Sequence, residues 1–197
     1  MEMTDRTNSA IVSLLVIVGY FGPALADDLC LGVDPQASVA LSEATKTKDC
    51  HVRISPTGYP LPDPECTPGA VNPTVTANIL RNPAWRTRCV RDGATTPAQK
   101  HSVYAAYGIR PPNNNHGRTQ TCEIDHLVSI EIGGADTLDN LWPQCGGGPT
   151  LAKRWFKIKD GVENALAKGI KTDGDEPEQA QRGIAKDWSQ FITKGVK

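Results

Sequence analysis

The chain has 197 residues and an almost balanced charge, with 21 lysines and arginines against 22 aspartates and glutamates. This length suits one domain with a buried core. Its six cysteines include no Cys-x-x-Cys pair, which argues against a structural zinc site. An even cysteine count favours disulfide bonds in an exported chain.

The first 26 residues are expected to be an export signal. Residues 10–19 (AIVSLLVIVG) form an apolar run that Gly22 and Pro23 interrupt, and Ala24-Leu25-Ala26 is a small-x-small cleavage site. The run is too short to span a bilayer as a stable helix. We therefore expect cleavage after Ala26 and export to the periplasm or the medium, with no membrane attachment of the mature chain. The alternative is an uncleaved N-terminal anchor.

Residues 27–69 are predicted to form an extended arm that lies over the rest of the protein. Prolines and glycines interrupt the later half of this segment, and three of the cysteines lie in it. The sequence leaves the disulfide pairing open, because six cysteines allow 15 arrangements. The disulfide candidates are Cys30, Cys50, Cys66, Cys89, Cys122 and Cys145.

Two short helices are predicted between the arm and the central segment. Residues 74–80 (TVTANIL) form the first, which is capped near Asn72 and has Pro73 at its first position. Residues 97–107 form the second, which Gly108 ends.

The clearest strand signal lies in the middle of the chain. Apolar residues alternate there with more polar ones, at Ile124, Val128, Ile130 and Ile132. Gly133–Gly134 end this strand, and Asn140–Trp142 are predicted to return beside it. Strict alternation places Asp125 and His126 on opposite faces. The strand must therefore twist, end or bulge near His126 if both residues serve one site.

Two amphipathic helices are predicted in the last third of the chain. The apolar stripe of the first consists of Trp155, Ile158, Val162, Ala165 and Leu166. Its opposite side carries Lys153, Lys157, Asp160 and Asn164, with Glu163 nearby. The second helix covers residues 176–193, and its buried stripe is Ala180, Ile184, Trp188 and Phe191.

The charges are distributed unevenly along the chain. Residues 119–150 carry five acidic groups and no basic one. Residues 81–118 before them carry seven basic groups and one acidic one, and residues 151–171 after them carry six basic and two acidic groups. Acidic residues that gather a cation, next to basic residues that hold phosphates, suit a phosphodiesterase. Mixed surface charge is the simpler explanation, so charge alone does not decide.

The central segment contains the residue types that phosphodiester hydrolysis needs. A neutral imidazole such as that of His126 can take a proton from water near pH 7. A carboxylate beside it, that of Asp125, can hold a hard divalent cation through oxygen. Asn140 can bond backbone groups of the loop between the strands and so fix the position of the histidine.

The stretch from Cys122 to Gln144, CEIDHLVSIEIGGADTLDNLWPQ, resembles the HNH nuclease motif of small exported bacterial proteins. The resemblance extends from Cys66 to Trp188 and includes residues 159–164 (KDGVEN). It implies the ββα-metal fold, cleavage of nucleic acid with little or no sequence specificity, and one divalent cation. Mg²⁺ or Mn²⁺ is the expected ion, with Zn²⁺ and Ni²⁺ as alternatives.

The resemblance also implies roles for individual residues. His126 matches the general-base histidine of the family, Asp125 the acidic metal ligand beside it, and Asn140 the middle asparagine. No histidine follows His126, so the metal ligand on the helix departs from the common pattern. The candidates for that ligand are Asp160, Glu163 and Asn164. Glu123 and Glu131 are candidates for supporting roles near the metal.

Nucleic-acid contacts are expected from basic residues outside the motif. The candidates are Arg81, Arg86, Arg88, Lys153 and Lys157. Cys122 and Cys145 bracket the predicted hairpin, so a disulfide between them is attractive.

These features together predict an α+β protein with a small ββα-metal core at about residues 122–168, additional helices, and a disulfide-stapled, mostly irregular N-terminal arm. Residues 1–26 would be the signal, 27–69 the arm and 70–197 the nuclease domain. The expected function is metal-dependent hydrolysis of DNA, or alternatively of RNA, by an exported monomer. The rival interpretations are a non-catalytic exported module that binds nucleic acid or protein, and a nuclease toxin with a partner inhibitor.

Overall fold

The middle of the chain folds as a β-hairpin that is followed by a long helix. This computed structural model describes residue 30 and residues 32–91 and 95–192, so the expected export signal at residues 1–26 lies outside it. The fold is mixed α+β, as the sequence predicts. No helix in the described part is long and apolar enough to cross a bilayer.

The strands are short, and each pairs antiparallel with one other strand. They are β1 (Val39–Ala40), β2 (Arg53–Ile54), β3 (Pro60–Leu61), β4 (Ala70–Val71), β5 (Cys122–His126) and β6 (Leu141–Cys145). The helices are α1 (Ala77–Arg81), α2 (Arg88–Arg91), α3 (Pro97–Ala106), α4 (Trp155–Lys168) and α5 (Pro177–Asp187). β1 pairs with β4, β2 with β3, and β5 with β6.

The N-terminal arm is mostly irregular and packs against the C-terminal part of the chain. The buried Trp188, which directly follows α5, donates its Nε1–H to the carbonyl oxygen of Pro60 at 2.8 Å. The ring of Tyr59 meets the Trp188 ring edge-on, with centroids 5.3 Å apart. Leu61 is buried in the same apolar core. The arm therefore supplies part of that core rather than only covering it.

Three disulfides cross-link the chain, which confirms the disulfides expected from the cysteine count. They join Cys30 to Cys89, Cys50 to Cys66, and Cys122 to Cys145. Cys122 and Cys145 lie directly opposite each other in the β5–β6 ladder. This bond closes the open end of the hairpin.

β5 is shorter than the alternating pattern predicts. It ends at His126, and residues 130–132 form a 3₁₀ turn, so the predicted strand beyond His126 is wrong. The apolar residues of that stretch are buried within a loop instead: Leu127, Val128, Ile130 and Ile132. Because the strand ends at His126, Asp125 and His126 can serve one site without a bulge.

The side chain of Asn140 holds this loop together. Its fully buried carboxamide accepts the Val128 N–H at 2.9 Å and donates to the carbonyl oxygens of Val128 at 2.9 Å and Ala135 at 2.7 Å. The loop is also tight at Gly134, where an added Cβ would lie 1.9 Å from the carbonyl oxygen of Val128. The Gly-Gly pair and the asparagine thus serve the same loop.

Helix α4 packs against both long strands, but its buried face differs in part from the predicted stripe. Phe156 and Lys159 are fully buried, and Val162 is buried as expected. Trp155 is only half-buried and Ala165 is exposed. The helix is therefore turned so that one of its lysines faces the hairpin.

The other helices largely follow their sequence signals. α3 starts where predicted, because Thr96 forms a capping box with the third helical residue. α1 starts three residues later than predicted, because Thr76 rather than Asn72 caps it. α5 ends at Asp187, and a 3₁₀ turn at Trp188–Phe191 takes the place of its expected last turns.

We predict that Asn140→Ala lowers the free energy of unfolding by about 3 kcal/mol or more, because each buried donor or acceptor left without a partner costs about 1–3 kcal/mol. Urea unfolding followed by tryptophan fluorescence measures this loss. Asn113→Ala, at an exposed loop position, is the control. A loss for Asn140→Ala no larger than that of the control would contradict the role of Asn140 in the loop.

Candidate active site

A cavity of about 110 Å³ opens where the end of β5 meets α4. Four carboxylates from these two elements line it, and we call them the acidic cluster: Glu123, Asp125, Asp160 and Glu163. Arg91 from α2 and Lys100 from α3 also line it, and we call them the basic pair. His126 lies in the same lining. The cavity therefore brings together a histidine that can accept a proton, four carboxylates that can bind a cation and two basic groups that can bind an anion.

His126 is oriented by an aspartate from the loop. Its Nε2 lies 2.9 Å from Oδ1 of Asp136, which is completely buried. The same Oδ1 accepts the hydroxyl of Thr95 at 2.6 Å and lies 3.7 Å from Nζ of Lys100. An ionised carboxylate only accepts hydrogen bonds, so Nε2 of His126 carries the hydrogen and Nδ1 keeps a lone pair.

Burial and hydrogen bonding set the protonation of this pair. Burial lowers the pKa of His126 below its usual value, and this effect exceeds the opposite effect of Asp136. Burial acts against ionisation of Asp136, but the hydrogen bonds from His126 and Thr95 lower its pKa to about 2. At neutral pH the pair is therefore a neutral imidazole that donates to a carboxylate.

A buried lysine lies between two members of the acidic cluster. Nζ of Lys159 is 3.0 Å from Oδ2 of Asp125 and forms an ion pair with Glu163. It also donates to the carbonyl oxygen of His126 at 2.6 Å. Burial alone would lower the pKa of Lys159, but the two carboxylates raise it above its ordinary value. The lysine therefore stays charged inside the protein.

Two members of the acidic cluster ionise less readily than free carboxyl groups, because they are buried and lie close to other carboxylates. Burial raises the pKa of Glu163 to about 7, and Asp125 adds to the rise while Lys159 opposes it. Burial and the neighbouring Asp125 and Asp160 also raise the pKa of Glu123. Such repulsion favours the binding of a cation in the cavity.

The carboxylates of the cavity fit a hard ion such as Mg²⁺ better than structural zinc. No three His, Cys, Asp or Glu side chains are arranged to hold an ion together in the described part of the chain, so the closed cage of structural zinc does not fit. Mg²⁺ is usually held by one or two carboxylates, with substrate phosphate and water completing its shell. Asp125 and Glu163 fit this arrangement, because both line the cavity and both side chains are mostly buried, each beside the ammonium of Lys159.

Some predicted site residues lie away from the cavity. Asn164 is exposed and, like Glu131, does not line the cavity, so neither is placed to act there. Asp160 does line it and pairs with Lys157 at 2.6 Å. Glu123 accepts a hydrogen bond from Gln120 at 3.2 Å. Of the three candidates for the helix ligand, Glu163 and Asp160 thus lie at the site.

The predicted phosphate-binding residues fall into two groups. Arg81 is committed to the protein itself, because its guanidinium bonds the carbonyl oxygens of Ile170, Gly174 and Asp175 and pairs with Glu176. The others are exposed, and none of them lines the cavity: Arg86, Arg88, Lys153 and Lys157.

Four residues of the site are missed by reasoning from the sequence. Two of them are Asp136, which lies in the loop between the two strands of the hairpin, and Lys159, which lies on α4. The other two are the basic pair. Both of its members lie in the basic segment 81–118, but no pattern in that segment distinguishes them from its other basic residues. A carboxylate three residues after the Gly133 turn could have indicated Asp136, because a tight loop returns it towards His126. No local pattern indicates that Lys159 is buried.

Comparison of the chain with known protein families, with characterised proteins and with solved structures finds no match.

We predict that Asp136→Asn lowers the free energy of unfolding at neutral pH by ~1–2 kcal/mol. The folded pKa of Asp136, about 2, lies below the ordinary value of 3.8, so this stabilisation is present above pH 3.8 and is lost as the pH falls towards 2. Urea unfolding at a series of pH values measures it. Asp139→Asn, in the same loop but with a side chain that accepts from Thr137 instead of from His126, is the control. A difference between Asp136→Asn and the wild type that does not shrink in acid would contradict this account.

Proposed function

We propose that this protein is an exported endonuclease of the ββα-metal type that hydrolyses phosphodiester bonds in DNA. The observation that carries the proposal is a single cavity that contains an aspartate-oriented neutral histidine, the acidic cluster and the basic pair. The succession of β5, the Asn140 loop, β6 and α4 supports a ββα core. Three disulfides support export.

In the proposed reaction, His126 is the general base. Asp136 holds the hydrogen on Nε2, and Nδ1 accepts the proton of the water that attacks phosphorus. Ionised Asp136 also stabilises the imidazolium that forms. Asn140 acts at a distance from the reacting atoms, because it keeps the loop that carries Asp136 in place.

Asp125 and Glu163 would hold one divalent cation, with Mg²⁺ or Mn²⁺ suiting their oxygens best. Such an ion supplies Lewis-acid stabilisation of the negative charge on the phosphate and on the leaving oxygen. Asp160 lines the same cavity, but its ion pair with Lys157 already uses one of its oxygens.

The basic pair would bind the substrate. Arg91 is exposed and Lys100 is half-exposed, and both reach the cavity that contains His126. They can therefore contact the backbone phosphates on either side of the scissile bond, which positions DNA without reading its sequence. Arg88, on the same short helix as Arg91, can extend this contact.

A second candidate is a non-catalytic exported module that binds nucleic acid. It is favoured by the ion pairs of Lys159, because they neutralise part of the acidic cluster without a metal ion. The two candidates differ in one observable property, which is metal-dependent cleavage.

We predict that the purified protein cuts plasmid DNA in the presence of Mg²⁺ or Mn²⁺ and that His126→Ala lowers the rate by about 10²–10⁴-fold, the usual contribution of a general base. Gel analysis of supercoiled plasmid measures the rate. His101→Ala, at an exposed histidine on α3, is the matched control and should cut like the wild type. Equal cutting by His126→Ala and the wild type would contradict the assigned base, and DNA binding without metal-dependent cleavage would favour the second candidate.

A further inference from the structure

The buried lysine of α4 has more polar contacts than an ordinary helix ion pair. Lys159 is fully buried, and its ammonium contacts three acceptors: the carbonyl oxygen of His126, Oδ2 of Asp125 and Oε1 of Glu163. Each of its three hydrogens can therefore point at an oxygen. Two of the acceptors belong to the residues that would hold a metal ion in the proposed function.

Two carboxylates seldom share a buried position unless a cation separates them. Asp125 and Glu163 have side chains that are only 12% and 14% exposed, so water screens their repulsion weakly. Lys159 provides the intervening charge from within the protein. Its hydrogen bond to His126 also joins α4 to the end of β5, the two elements that carry the carboxylates.

We propose that Lys159 is the resident counter-cation of the Asp125–Glu163 pair and that it keeps the metal site folded and preformed when no divalent ion is bound. This inference rests on the proposed function only in naming the pair as metal ligands. Two lysines pair with three of the four carboxylates of the acidic cluster, Lys157 with Asp160 and Lys159 with both Asp125 and Glu163, so four negative charges meet two positive ones. Two negative charges remain, which one divalent ion can neutralise.

Substitution of the lysine should turn a metal-independent fold into a metal-dependent one. Lys159→Met keeps an unbranched apolar side chain in the buried position but removes the charge. Without a divalent ion the two carboxylates then repel each other. A divalent ion restores the missing positive charge, because it binds the pair more strongly once the nearby ammonium is gone.

Thermal unfolding in EDTA and in MnCl₂ tests the proposal without any activity assay. We expect the wild type to fold in EDTA and to gain only slightly in unfolding temperature in MnCl₂, because the ammonium of Lys159 weakens the binding of a cation to the pair. Lys159→Met should lose roughly 10 °C in EDTA, as for a broken buried ion pair, and should regain most of it in MnCl₂. Lys168→Met, which removes an exposed lysine at the end of the same helix, is the control and should behave like the wild type.

A double variant keeps the test decisive if Lys159→Met is too unstable to purify. Lys159→Met/Glu163→Gln removes one charge of each sign, so it should fold in EDTA and should not respond to MnCl₂. The proposal is overturned if Lys159→Met matches the wild type in EDTA, if MnCl₂ shifts both equally, or if the double variant fails to fold. These outcomes are independent of plasmid cleavage, so a failed nuclease assay would remove the proposed function and leave the role of Lys159 standing.

Discussion

The candidate site depends on a single buried carboxamide, that of Asn140. Its hydrogen bonds to the backbone of Val128 and Ala135 close the loop that begins after His126. With both ends of the loop fixed, Asp136 returns to within hydrogen-bond distance of the histidine ring. A side chain that touches no reacting atom thus determines which nitrogen of His126 carries the hydrogen.

Charge compensation is the second constraint on the site. The proposed function requires carboxylates close together to hold a cation, yet their repulsion disfavours the fold before that cation arrives. Lys159 resolves this conflict by placing a permanent positive charge beside Asp125 and Glu163. Lys159 makes the site less negative. It does not itself line the cavity, because it is fully buried.

Features with a local sequence signal could be predicted, whereas those that depend on tertiary packing could not. The start of α3 at Pro97 and the two cysteines that bracket the hairpin carry such a local signal. The end of β5 at His126 does not, because a buried loop produces the same apolar alternation as a strand. The burial of Lys159 was missed for a related reason. A helical wheel assumes that charged residues face water, and here two carboxylates across the interface make the opposite orientation favourable.

The central claim is that Asp125 and Glu163 hold a divalent ion beside a histidine base and a bound phosphodiester. Anomalous diffraction from crystals of the His126→Ala variant, grown with a short DNA duplex and MnCl₂, tests it most directly. The account predicts a manganese peak at about 2.1 Å from oxygens of both carboxylates, near the octahedral distance for hard ions, with a DNA phosphate oxygen in the same shell. A duplex bound at this cavity with no manganese between the carboxylates and the phosphate would contradict it.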